Sequence, residues 1–124
     1  MERGSQAGAL SNRRVLVVED EYFIADDMAK ALRTLGAEVV GPAPTREKAL
    51  DLVASEPRID AAVLDINLKG ESVFPVAEML EQRGVPFVFA TGYDAASVPE
   101  RYQGVPRWEK PFNPGDLARA LPAL

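Results

Sequence analysis

The sequence predicts an α/β protein built on a doubly wound, five-stranded parallel sheet with helices on both faces. Three observations support this fold class. Short apolar runs alternate five times with amphipathic stretches, in units of roughly 20 to 25 residues. The run Ala61 to Leu64 is apolar throughout, as expected of a strand buried on both faces. The 124 residues, 47% of them hydrophobic, suffice for one domain with a real core.

The first two strand and helix pairs follow from local pattern. The β-branched run over 15–18 predicts a buried strand, and a helix is predicted over 22–35. The apolar residues of that helix, which share one face, are Ile24, Met28, Ala31 and Leu35. A second strand is predicted over 38–41, and Thr45 is suited to cap a second helix that runs to about residue 54.

The remaining elements follow the same alternation. Strands are predicted over 59–64, 87–90 and, more weakly, 105–109. Helices are predicted over 73–82 and 114–121, with Asn113 as the cap of the last one. The segment 94–101 has room only for a short helix, because Pro99 interrupts it. The polar leader over 1–12 is interpreted as disordered, which leaves a single domain over 13–124.

Composition excludes several classes of function. The net charge of −5 argues against nucleic-acid binding. The apolar runs are too short to cross a membrane, and no secretion signal precedes the domain, so a cytoplasmic location is expected. The chain has neither cysteine nor histidine, so any bound metal must have oxygen ligands, which favours a hard cation such as Mg²⁺.

Polar residues come directly after the predicted strands. They are Glu19, Asp20, Asp65, Thr91 and Lys110. Ligands of open α/β sheets bind at this carboxyl edge, so these side chains are expected to meet there. Two carboxylates 4 Å apart repel by ~4 kcal/mol at an effective dielectric near 20. A divalent cation removes that repulsion, and the sequence therefore predicts a magnesium site that accepts phosphate oxygens.

The same residues suggest a reaction. A carboxylate beside Mg²⁺ can attack a phosphoryl group, and Asp65 is the candidate nucleophile. The ammonium of Lys110 and the hydroxyl of Thr91 would stabilise the transferring oxygens. The alternative is that the strand-end acids are only solvated helix caps. That alternative applies most to Glu21, which directly precedes the first helix.

Four motifs resemble a known family. They are Val-Leu-Val-Val-Glu-Asp-Glu at 15–21, Leu-Asp-Ile-Asn-Leu at 64–68, Phe-Ala-Thr-Gly-Tyr at 89–93 and Glu-Lys-Pro-Phe at 109–112. In this order and spacing they resemble the receiver domains of two-component response regulators. The resemblance covers the chain from Arg14 onward. It implies a flavodoxin-like fold with strand order 2-1-3-4-5.

The resemblance also implies a role for each site residue. Asp65 matches the phosphoacceptor, Asp20 a direct magnesium ligand, and Glu19 an acid that acts through water. Asn67 matches the residue whose backbone carbonyl completes the metal shell. Thr91 matches the switch hydroxyl, and Lys110 matches a lysine that is usually followed by a cis-proline.

One position departs from the family pattern. Receivers usually carry Tyr or Phe three residues before the lysine, where this chain has Arg107. Together with the motif at 89–93, this resembles the receiver subgroup named for its Phe-Ala-Thr-Gly sequence, sometimes written FATGUY. The departure puts the usual coupling of threonine to an aromatic ring in doubt. We therefore hypothesise that the loop over 91–101 carries the signal instead, and the alternative is a loop that is only short and mobile.

The leading functional hypothesis is a single-domain response regulator. It would take a phosphoryl group on Asp65 from a sensor histidine kinase or a histidine phosphotransfer protein and release it slowly, with no other enzymatic activity. It would act on a downstream protein partner or as a phosphate relay or sink, as a monomer or weak dimer. The alternative is a phosphorylation-independent docking domain with the receiver fold. A flavodoxin-like enzyme fits less well, because the acids Glu19, Asp20 and Glu21 occupy the position where it would bind a flavin phosphate. A haloacid-dehalogenase-type phosphatase also fits less well, because it needs a second aspartate two residues after its nucleophile, where this chain has Asn67.

Overall fold

A computed structural model describes residues 8–92 and 98–124 of the chain. Five strands form one parallel sheet: β1 Arg14–Val18, β2 Glu38–Ala43, β3 Ala61–Asp65, β4 Phe87–Thr91 and β5 Arg107–Glu109. Four α-helices connect or follow them: α1 Tyr22–Thr34, α2 Arg46–Ser55, α3 Phe74–Gln82 and α4 Pro114–Ala120. Short 3₁₀ turns lie at Glu100–Tyr102 and Leu121–Ala123, and a small hairpin pairs Asn67–Leu68 with Glu71–Ser72.

The order of the strands in the sheet is β2-β1-β3-β4-β5, which confirms the predicted doubly wound topology. Every neighbouring pair is parallel, so all five carboxyl ends lie on one edge. The register aligns the ends closely: Val18 pairs with Leu64, and Asp65 pairs with Ala90. The residues that follow β1, β3 and β4 are therefore neighbours.

The core consists of two apolar layers, one on each face of the sheet. Alternate residues of β3 point to opposite layers, because side chains of a strand alternate in direction. Ala62 and Leu64 belong to the layer under α2 and α3, and Ala61 and Val63 belong to the layer under α1 and α4. All five residues of β3 are buried, as predicted for a central strand.

The amino-terminal segment differs from its prediction at one end. Residues 1–12 were expected to be disordered, but Gly8 to Asn12 form turns, and Leu10 is only 1% exposed. The backbone N–H of Leu10 donates to the carbonyl of Leu35 at 2.9 Å, and its side chain packs with Leu121 in the layer under α1 and α4. The folded part therefore begins before residue 13, and residues 1–7 lie outside the described part of the chain.

Other boundaries shift for local reasons. β2 continues past Gly41, which adopts φ +93°, to Ala43. The peptide bond between Gly41 and Pro42 is cis. β5 begins only at Arg107, directly after Pro106. In the predicted helix over 94–101, the described part contains only the 3₁₀ turn that starts after Pro99, while residues 93–97 are outside the described residues. Among the described residues, no helix has the length and apolar character needed to cross a bilayer.

Candidate functional site

The site lies where β1, β3, β4 and β5 end. Thr91 is the last residue of β4, and its carbonyl accepts a hydrogen bond from the backbone N–H of Lys110 at 2.8 Å. On the other side, the backbone N–H of Glu19 donates to the carbonyl of Ala43 at 3.0 Å, which ties the acids after β1 to the end of β2. Backbone hydrogen bonds between strand ends thus hold the functional side chains in place.

Three carboxylates meet at this edge. Glu19, Asp20 and Asp65 each offer an oxygen, and these oxygens lie within 4.8 Å of one another. Glu19 and Asp65 are buried, and Asp20 is half-buried. A set of hard oxygen donors at this spacing, without nitrogen or sulfur, fits Mg²⁺ or Ca²⁺ rather than a softer metal. The sequence predicted that these three acids would meet, and the structure brings them together.

Lys110 supplies the positive charge of the cluster. Its Nζ lies 2.9 Å from Oε1 of Glu19 and 3.1 Å from Oδ2 of Asp65. A third carboxylate, that of Glu21, lies 3.4 Å away. The lysine side chain is itself mostly buried, so its ion pairs with the buried acids Glu19 and Asp65 are only weakly screened by water. The peptide bond from Lys110 to Pro111 is cis, as the family resemblance implied.

Burial and neighbouring charges change the acid strength of two groups. Burial, reinforced by the charge of Glu19, raises the pKa of Asp65 from 3.8 to about 8, although Lys110 opposes that shift. Burial lowers the pKa of Lys110, but its hydrogen bonds and ion pairs with Glu19 and Asp65 outweigh this and raise it to about 12. Lys110 therefore holds its proton more strongly than a free lysine, and Asp65 holds its proton more strongly than a free aspartic acid.

A small hairpin forms one wall of the site. The backbone N–H of Asn67 donates to Oδ1 of Asp65 at 3.2 Å, and the Asn67 side chain accepts from the N–H of Gly70 at 2.7 Å. The hairpin is joined to α2 by contacts from Arg46 to Glu71 and to the carbonyl of Ser72. Asn67 thus fixes the orientation of the Asp65 carboxylate through its backbone.

Asp20 and Asp65 line a cavity of about 760 Å³ that is open to solvent. Thr91 is buried in its wall, and Lys110 lines it as well. Five of the residues predicted for the site line this opening: Asp20, Asp65, Asn67, Thr91 and Lys110. The sixth, Glu19, is buried beside it and contacts Lys110. This arrangement can hold a hard cation next to a buried carboxylate. The ammonium group of Lys110 and the hydroxyl of Thr91 are close enough to donate hydrogen bonds to a bound anion.

Two residues of the site were missed or undervalued by the sequence analysis. Glu21 was a candidate helix cap, but its side chain makes no capping hydrogen bond and contacts Lys110 instead. Phe74, the first residue of α3, lines the cavity and stacks on Tyr102 with ring centroids 5.6 Å apart. No sequence pattern indicates either contact, because both depend on side-chain direction.

The position that departed from the family pattern lies at the surface. Arg107 is exposed, and its guanidinium lies 3.4 Å from Oε1 of Gln103. A buried aromatic ring, that of Tyr102, stacks on the cavity residue Phe74, and its hydroxyl donates to Glu81 at 3.2 Å. The loop predicted to carry the signal includes residues 93–97, and this hypothesis therefore falls partly outside the described residues.

Comparison with known proteins identifies the family. The profile of the response regulator receiver domain matches residues 15–121, so the chain belongs to that family. The transcriptional regulatory protein PdtaR of Mycobacterium tuberculosis is 31% identical over 121 residues, covering 94% of this chain and 58% of PdtaR. The phyllosphere-induced regulator PhyR of Methylorubrum extorquens is 30% identical over 128 residues, covering 97% of this chain and 46% of PhyR. The chain thus spans about half the length of these curated relatives.

A solved structure supports the same assignment. SdrG from Sphingomonas melonis Fr1 is 44% identical and superposes with a TM-score of 0.78, over 93% of this chain and 96% of SdrG. The BeF₃-activated conformation of SdrG from Pseudomonas melonis Fr1 is 42% identical with a TM-score of 0.73, over 91% of this chain and 96% of that one. The fold and the family are therefore those of a receiver domain of two-component systems, which is a signalling module.

Proposed function

We propose that Asp65 accepts a phosphoryl group from the phosphohistidine of a sensor histidine kinase or a histidine phosphotransfer protein. An oxygen of the Asp65 carboxylate attacks phosphorus, the bond from phosphorus to the histidine nitrogen breaks, and an acyl phosphate forms on Asp65. The observation that carries the proposal is the placement of this buried carboxylate 3.1 Å from Lys110 and beside two further acids at an open cavity.

The other residues of the site have supporting roles in this proposal. Asp20 and Asp65, with the backbone carbonyl of Asn67, would hold Mg²⁺, and Glu19 would act on it through water. Bound Mg²⁺ supplies positive charge for the phosphoryl oxygens. Lys110 would donate to a phosphoryl oxygen on Asp65, and the hydroxyl of Thr91 would donate from the end of β4. Hydrolysis of the acyl phosphate by water returns Asp65 to its free state.

The wider role is also a proposal. The relatives named above are regulators, and the chain aligns along nearly the full length of SdrG, which supports action as a single receiver domain. We propose that it signals through a protein partner in the cytoplasm, or passes the phosphoryl group on as a relay or sink, as a monomer or weak dimer. The motif Phe-Ala-Thr-Gly-Tyr at 89–93 and Arg107 support membership of the subgroup named for that motif.

Incubation with acetyl phosphate and Mg²⁺ tests the proposal directly. Intact-protein mass spectrometry should show the gain of one phosphoryl group in the wild type and in Asp51→Asn, which removes an exposed acid on α2. The gain should be absent in Asp65→Asn and after chelation of the metal. If Asp65→Asn gained the same mass, Asp65 would not be the acceptor. If the wild type gained none, the chain would be a receiver-like docking domain without phosphotransfer.

A further inference from the structure

The ammonium group of Lys110 is already fully used by carboxylates. An ammonium has three N–H donors. Its Nζ lies 2.9 and 3.2 Å from the two carboxylate oxygens of Glu19, 3.1 Å from Asp65 and 3.4 Å from Glu21, so four oxygens of three acids share three donors. A phosphoryl group on Asp65 would bring further anionic oxygens to the same nitrogen. One of the existing contacts must then be given up.

The three contacts differ in strength. The carboxylates of Glu19 and Asp65 are buried, and each also accepts a backbone hydrogen bond: from Glu21 N–H at 3.1 Å and from Asn67 N–H at 3.2 Å, respectively. The Glu21 side chain is 62% exposed, and its contact with Lys110 is the longest of the three. Exposed ion pairs contribute little because water competes for both partners. Glu21 is therefore the acid that leaves Lys110 most easily.

The side chain of Glu21 does not stabilise helix α1 by capping it. It occupies the N-cap position of α1, yet its side chain accepts no hydrogen bond from the first turn. Its carboxylate lies instead along the wall of the same cavity that contains Asp65. The Glu21 carboxylate thus interacts with Lys110 rather than with the first turn of α1.

We infer that the Glu21 carboxylate takes the donor of Lys110 that a phosphoryl group on Asp65 must receive, so that Glu21 is a positioning residue that limits the affinity of the site for phosphoryl groups. This inference rests on the proposed phosphoacceptor role of Asp65. In the unmodified protein, Glu21 keeps the third donor of Lys110 satisfied. When the phosphoryl group arrives, the exposed carboxylate of Glu21 moves into water and its place on Nζ is taken by a phosphoryl oxygen.

The test compares phosphoryl-like and metal binding in Glu21→Gln. Beryllofluoride, added at saturating Mg²⁺, mimics the phosphoryl group, and its half-saturation point is followed by amide NMR signals. Glu21→Gln should bind beryllofluoride about two- to fivefold more tightly than the wild type, as expected for loss of an exposed competing ion pair. Its affinity for Mg²⁺ alone should be unchanged or weaker, because an acid near the cation has been removed.

The matched control is Asp27→Asn, which removes the same charge from an exposed position of α1. It should leave the half-saturation point for beryllofluoride close to that of the wild type. Equal values for Glu21→Gln and Asp27→Asn would overturn the inference, as would weaker binding in Glu21→Gln. A parallel tightening of Mg²⁺ and beryllofluoride would also overturn it, since a competitor for Lys110 acts only on the anion. A wild type that binds no beryllofluoride would instead refute the phosphoacceptor role of Asp65, and with it this inference.

Discussion

Asp65 combines two demands that oppose each other. It must be buried against Lys110 and the neighbouring acids to present one carboxylate to the cavity, and that burial disfavours its charge. The ion pair with Lys110 compensates only in part, because Glu19 shares the same ammonium group. The cost of keeping the Asp65 carboxylate charged is therefore carried by the folding free energy of the domain.

A pH dependence of stability follows from this cost. The pKa of Asp65 is about 8 in the folded protein and near its ordinary value of 3.8 in the unfolded chain. The folded state therefore binds the extra proton between these values, and stability is lost as the pH rises from about 4 to about 8. Asp65→Asn has no such proton, so its advantage over the wild type should grow by on the order of 1 kcal/mol per pH unit in this range. Urea unfolding of both proteins at pH 5 and pH 7.5, with a chelator present, measures the difference. A constant difference across the two pH values would contradict the raised pKa.

At the scale of elements, the end of β2 positions the acids that follow β1. The pairing of β1 with β2 is irregular between Leu16 and Val18, and Val18 pairs with Ala43. This register lets the carbonyl of Ala43 accept the N–H of Glu19. The chain turns at Gly41 to reach this register. Gly41 has φ +93°, a backbone conformation that residues with a Cβ rarely adopt.

Substitution of Gly41 should therefore be more costly than substitution of other glycines with positive φ. A Cβ at Gly41 would lie 2.8 Å from the backbone nitrogen of Ala43 and 3.1 Å from the carbonyl of Val17. Gly41→Ala should lower the free energy of unfolding by about 2–4 kcal/mol through strain and overlap. Gly84→Ala, with φ +70° and no atom within 4 Å of the new Cβ, should cost only about 1 kcal/mol. Chemical denaturation measures both, and equal losses would show that the close approach at Gly41 has no energetic weight.

The elements also show what a sequence can predict. The strand and helix pattern follows from periodicity, whereas the order of the strands was implied by the family resemblance. With β1 and β3 as neighbours, the meeting of Glu19, Asp20 and Asp65 follows from the rule that parallel strands end on one edge. The extension of β2 beyond Gly41 does not, since Gly-Pro normally predicts the end of a strand. The direction of the Glu21 side chain was also beyond prediction, because a rotamer on an exposed residue is chosen by neighbours that are distant in sequence.

At the scale of the whole molecule, the turns before β1 belong to the folded unit. Leu10 closes the apolar layer under α1 and α4, next to Leu121 and Val15. An isolated leucine in a polar leader carries no periodicity, and for that reason the segment was expected to be disordered. The burial of Leu10 depends on its contact with Leu35 at the carboxyl end of α1, and the sequence around Leu10 gives no sign of that contact.

Leu10→Ala should therefore destabilise the domain by about 2–4 kcal/mol, the usual cost of a cavity left by a buried leucine. Leu124→Ala serves as the matched control, because Leu124 is 43% exposed and should lose less than about 0.5 kcal/mol. Urea unfolding measures both variants. A loss at Leu10 no larger than that at Leu124 would mean that residues 8–12 contribute nothing to the folded state.

The position of Leu10, in the same apolar layer as Leu35 and Leu121, has a practical consequence for attaching labels to this domain. Both ends of the described fold leave from the amino edge of the sheet, since α1 and α4 each run back from the edge that bears Asp65. A fluorophore or surface linker attached after α4 would therefore lie at the edge of the sheet opposite the cavity that Asp20 and Asp65 line. Immobilised in this way, the domain would leave that cavity facing the bulk solution.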